Sequence, residues 1–164
     1  MQVVPLLTQT TADKIAAGHL FAARTGGGSG GLFIRVAEGE TATRAFAEVR
    51  NADTDVLVVQ LAPRSTELNW TAAIPAETTV SDVTDAVALA YDVAPENLRY
   101  PNPTLPSLTA LVAGDLLVDG NTTKLVFVGP NPAIGIAFID LDSGEVTLSI
   151  GPNPMQLVSW WLDF

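Results

Sequence analysis

With 164 residues, 48% of them hydrophobic, and a mean hydropathy of +0.31, the chain has ample apolar material for a packed core, which excludes a largely disordered protein. Eighteen acids against eight scattered bases give a formal net charge of -10, so a nucleic-acid backbone and an anionic membrane surface are excluded as partners. No cysteine is present, which excludes disulfides, thiolate catalysis and cysteine metal sites.

The opening stretch MQVVPLLTQTTADKIAAGHLF has no basic leader and meets Asp13 before any long apolar run, so no secretory signal is expected. No stretch reaches the ~18 uninterrupted apolar residues of a membrane helix. Thr10 or Thr11 can cap a short helix carrying Ile15, His19 and Ala22 or Ala23 at helical spacing. The glycine-rich TGGGSGG, Thr25 to Gly31, runs into a strand-like LFIRVAE. A phosphate cradle opens a helix instead, so this segment reads as a linker or extended arm. TRAFAEVR alternates as a strand does, DVLVVQLA (Asp55 to Ala62) is apolar on both faces, and ELNWTAAI continues a small antiparallel set.

At Ser81 the period changes. Ser81 is a good N-cap, Asp82 and Asp85 suit a first helical turn, and Val83, Val87, Ala90 and Tyr91 form one stripe, which predicts a helix over 81–93. APENLRYP predicts a second short helix, opened by Pro95 and stopped by Pro101. Beyond Thr123 the chain is strand-like again: KLVFV, AIGIAFIDL, the turn Asp142-Ser143-Gly144, EVTLSI and MQLVSWWLDF, read as a four-stranded meander. Two Gly-Pro-Asn-Pro tetrads punctuate it, and in a meander Pro130 and Pro152 lie side by side as rigid loops able to touch a partner.

No residue set points to catalysis or to a metal. His19 is the single histidine and reads as packed or surface-exposed, with no second histidine or cysteine to complete a metal site. The carboxylate pairs Asp140/Asp142 and Asp53/Asp55 sit at strand ends and turns, where solvated aspartates are ordinary. Trp160, Trp161 and Phe164 close the chain. Alternation puts the two tryptophans on opposite faces of a strand, so either both are covered by core packing or one face docks on a neighbouring subunit, with Trp160, Trp161 and Phe164 as the expected interface residues.

From Ser81 the pieces SDVTDAVALAYDVAPENLRYPNPTLPSLTALVAGDLLVDG follow in an order that resembles the LysM domain, over about residues 70–120. Asp82 stands at that family's Gly-Asp-Thr turn, with Ser81 and Val83 in place of its Gly and Thr. Val87-Ala88 is similar to its Ile-Ala pair and Tyr91-Asp92-Val93 to its Tyr-Gly-Val. Leu98 with Asn102-Pro103 resembles its Leu-x-x-x-Asn-Pro, and LVAGDLLV its closing strand. The resemblance implies a βααβ unit with Val83, Val87, Tyr91, Leu98, Leu111 and Leu117 in one small core. It also implies a groove for N-acetylglucosamine polymers lined by Asp82, Val83, Asn102, Pro103 and Leu105.

The expected fold is therefore α+β: a β-rich chain with a central βααβ LysM-like domain and a C-terminal antiparallel β meander. The segments are an N-terminal arm (1–31), a β-rich segment (32–69), the LysM-like domain (70–120) and the C-terminal β segment (121–164). The expected function is non-enzymatic and needs no cofactor. It is a structural protein of a phage virion or contractile-tail particle, a tail or baseplate component that docks on other subunits of a multi-subunit assembly. The alternatives are a peptidoglycan-binding module and a capsid decoration protein.

Overall fold

The computed structural model describes residues 7–24, 30–46, 55–62, 71–92, 99–100, 111–129, 131, 133–150 and 155–163. The first half of the chain builds a six-stranded antiparallel sheet in the order β1-β6-β2-β3-β4-β5, from β1 (Thr8–Thr11), β2 (Leu20–Arg24), β3 (Gly30–Arg35), β4 (Asp55–Ala62), β5 (Thr71–Pro75) and β6 (Thr79–Asp82). Four strand spacings separate β5 from β6 in that order, about 19 Å if the sheet were flat. Yet only three residues join them, in a turn closed by the Thr78 amide on the Pro75 carbonyl at 3.0 Å. The sheet therefore curls into a barrel.

Alternation fills the barrel. Phe21, Ala23, Phe33, Val56, Val58, Ile74 and Val80 point inward, with the Phe21 and Phe33 rings stacked at 5.7 Å. Gly31 leaves the space the Phe33 ring needs, since a Cβ there would lie 2.8 Å from that ring. Arg35 closes one end: its Nη1 donates to the carbonyls of Ala12 (2.7 Å) and Ile15 (3.3 Å) in and after the 3-10 turn Ala12–Lys14.

The outward residues of the same strands, Leu32, Ile34, Leu57, Val59 and Leu61, are also buried, because a second sheet packs on them. Its order is β12-β11-β10-β9-β13-β7, from β7 (Ala88–Asp92), β9 (Leu116–Val118), β10 (Thr123–Val128), β11 (Ile136–Asp140), β12 (Val146–Thr147) and β13 (Met155–Asp163). The two-residue β8 (Arg99–Tyr100) pairs β13 in line with β7. Leu116, Leu125, Phe127, Ile139, Val158 and Trp160 face the barrel, whereas Leu117, Val126, Phe138 and Met155 form a separate cluster on the far face with Leu111. The one α-helix among the described residues, α1 (Glu40–Ala45), adds Ala42, Ala45 and the adjoining Phe46 to the inter-sheet core, with Phe46 5.9 Å from Phe127.

The fold is thus β-rich, and among the described residues the expected βααβ unit is absent. Residues 79–82 and 88–92 are strands, since Gln9, Thr10 and Ala22 offer β6 ladder partners and Trp160 to Asp163 offer them to β7. The helix signals at Ser81 to Val87 are satisfied by a single turn: Asp82 Oδ1 accepts the Thr84 amide at 3.0 Å, and the Ala86 and Val87 amides return to the Val83 carbonyl. Of the supposed second helix, Arg99 and Tyr100 are strand and the rest lies outside the described residues. Val83 and Val87 join the inter-sheet core, Leu111 and Leu117 join the far-face cluster, and Tyr91 is exposed, so no common small core forms.

Other expectations are corrected too. The N-terminal helix reduces to the 3-10 turn between β1 and β2. The expected strand at TRAFAEVR begins as α1, whose Ala42, Ala45 and Phe46 bury at helical spacing; residues 47–50 lie outside the described set. The C-terminal strands β10, β11 and β12 pair in chain order, but β13 lies on the other side of β9 instead of completing a meander beside β12.

Candidate functional site

Two features stand apart from the core: the open edge of the second sheet and a cleft where the sheets meet. At the edge, β13 is the last strand but one and β7 is paired on one side only among the described residues. Alternation along β13 turns Trp160 inward, where it is 8% exposed and donates Nε1–H to the Gly114 carbonyl at 2.8 Å. Trp161 turns outward opposite Ala90 and remains 47% exposed. The edge is acidic: Asp85 precedes β7, Asp92 ends it and Asp163 ends β13. Phe164, Pro130 and Pro152, the other expected interface residues, lie outside the described residues.

Of the expected glycan groove, Asn102, Pro103 and Leu105 also lie outside the described residues. Asp82 and Val83 are placed, and both work within the fold. Asp82 holds the turn that carries the chain from one sheet to the other, and Val83 is buried in the inter-sheet core while its amide donates to the Leu20 carbonyl. Val83 also lines an apolar cleft beside β2, β3 and β6.

The cleft encloses about 340 Å³. Its floor is apolar, with Ile34 and Leu61 fully buried and Leu20, Leu89 and Leu141 partly so. Polar residues complete the lining at its mouth: His19, Tyr91, Thr123 and Asp142. Behind His19, Asp82 Oδ2 lies 4.0 Å from Nδ1, with both side chains partly exposed.

The mouth is rigid for a local reason. The turn bearing His19 and the turn bearing Asp142 meet through two glycines in the left-handed region, Gly18 (φ +79) and Gly144 (φ +72). A Cβ on Gly18 would sit 2.3 Å from the Asp142 carbonyl oxygen, and one on Gly144 would sit 2.5 Å from the Gly18 nitrogen and the Arg35 oxygen. Asp140 Oδ1 accepts the Asp142 amide, the Ser143 amide and the Ser143 hydroxyl at 2.9–3.1 Å. Of the Asp140/Asp142 pair, the first is therefore consumed by the turn, while Asp142 is among the residues that line the cleft.

The sequence did not single out Tyr91 or Thr123 as site residues, and it treated His19 as inert. The cleft draws on residues 18–20, 34, 61, 84, 89, 91, 123 and 141–142, and no local spacing carries such an arrangement. Among the described residues, no three His, Asp or Glu side chains gather closely enough to hold a metal ion, and no helix is long and apolar enough to cross a membrane. A second, largely apolar cleft of about 870 Å³ opens beside β2, β3 and β6. Comparison with family models, with curated proteins and with solved structures gave no match in any of the three.

Proposed function

We propose that the chain is a non-enzymatic structural subunit of a multi-subunit particle of the virion or contractile-tail kind, docking through the edge formed by β7 and β13. The observation that carries this reading is Trp161: a large aromatic side chain, 47% exposed, beside a strand that is paired on one side only among the described residues. Aromatic anchors of this kind dominate the energetics of protein interfaces, and an unpaired strand edge is a template for strand addition. The acidity of Asp85, Asp92 and Asp163 and the net charge of -10 select the occupant. A second copy brings the same charges to the contact, so the favoured partner is a different subunit with basic side chains around its docking strand.

The same properties suit a tail, baseplate or capsid-surface position. The LysM-type adaptor role drew on the βααβ unit, so the docking reading rests on the edge formed by β7 and β13 instead. The test is incorporation. Particles assembled with the wild-type chain or with Trp161→Asp are sedimented, and the chain is quantified against the other particle proteins. The reading expects a fixed wild-type ratio and at most about a tenth of it for the variant. A wild-type chain left wholly in the monomer fraction, or a variant incorporated equally, overturns it.

A further inference from the structure

We propose that the cleft between the two sheets binds a small organic cation: an amine whose apolar body rests on the leucine and isoleucine floor while its ammonium group is held at the mouth by Asp142 and the Tyr91 ring. The argument is independent of the assembly reading and begins with the gradient of polarity in the cleft. Ile34 and Leu61 at the bottom offer no hydrogen-bonding side chain, so whatever fills the depth is apolar. The volume of about 340 Å³ suits a ligand of one ring or a short alkyl chain.

The sign of the polar end follows from the lining. Among the described residues no lysine or arginine lines the cleft, whereas Asp142 does, and Asp82 stands 4.0 Å behind His19. An anion would meet that acidic residue with no lysine or arginine among the described lining residues to offset it. An ammonium group meets an acidic residue and an aromatic residue that is 41% exposed, two features that each favour a cation. The mouth does not have to reorganise, because Gly18 and Gly144 lock its two turns together and Asp140 fixes the turn that presents Asp142.

The experiment is a titration at low ionic strength of the full chain with phenethylammonium and with 2-phenylethanol, which share an apolar body and differ in charge. Calorimetry gives the affinities, and NMR shifts at Tyr91, Leu89 and Leu141 locate the ligand. The amine is expected to bind at least about tenfold more tightly than the alcohol, with shifts at those three residues. In Asp142→Asn, an exposed change that leaves the turn's backbone intact, the gap between the two ligands is expected to close. Equal binding of amine and alcohol to the wild type, no binding of either, shifts confined to other residues, or a gap that survives Asp142→Asn would each overturn the proposal. None of these results depends on particle assembly.

Discussion

At the residue scale, two positions show how backbone conformation and burial decide what the chain tolerates. Gly18 combines a positive φ with a backbone carbonyl 2.3 Å from where a Cβ would stand, and that carbonyl cannot swing away as a side chain can. Gly18→Ala is therefore expected to destabilise the chain by at least about 2 kcal/mol, read from the urea midpoint, and to loosen the cleft mouth. Asp115 shows the opposite sign. Its half-buried carboxylate accepts the Val112 amide at 2.9 Å, but burial outweighs that bond and pushes its pKa above the ordinary carboxylate value. A carboxyl group raised in the folded state binds its proton more tightly there than in the unfolded chain. Stability from this group is thus greatest below the ordinary carboxylate range and falls as pH rises through the raised value. Asp115→Asn keeps an acceptor for Val112 and removes the charge. It is expected to raise Tm at neutral pH and to lose that advantage in acid, checked by thermal melts across pH 3 to 7.

At the scale of elements, β13 carries the contrast between fold and docking in adjacent residues. Trp160 is packed in the inter-sheet core and hydrogen-bonded to Gly114, so Trp160→Ala should cost about 3–5 kcal/mol of stability. Trp161→Ala should change the stability of the isolated chain by no more than about 0.5 kcal/mol, because nearly half of the side chain is already in water. Chemical denaturation of the two variants side by side checks both numbers. The alternation that separates these neighbours is legible in the sequence, as are β4, with apolar residues on both faces, and the hairpin at Asp142 to Gly144. The stretch from Ser81 to Asp92 was misleading for a physical reason. A capping aspartate and valines four residues apart are what one turn of helix requires, and they do not reveal whether a second turn follows or ladder partners take the chain over. Ala42, Ala45 and Phe46 failed in the opposite direction, as a short helical stripe within a run that alternates on paper. The cleft had no local signature, because its walls come from both sheets.

At the scale of the molecule, the barrel and the second sheet share one core through the outward face of β2, β3 and β4, so strands apolar on both faces need no partner chain to cover them. What a partner can cover is the acidic, aromatic edge at β7 and β13, and a contact to basic side chains there should weaken as salt rises. The most direct measurement of the docking role is amide hydrogen exchange of Ala88–Asp92, compared between the free chain and the chain assembled in its particle. The outward-facing amides of β7 should be at least about tenfold more protected in the particle, with little change in β3 or β4. Exchange at β7 that is the same in both states would contradict the account.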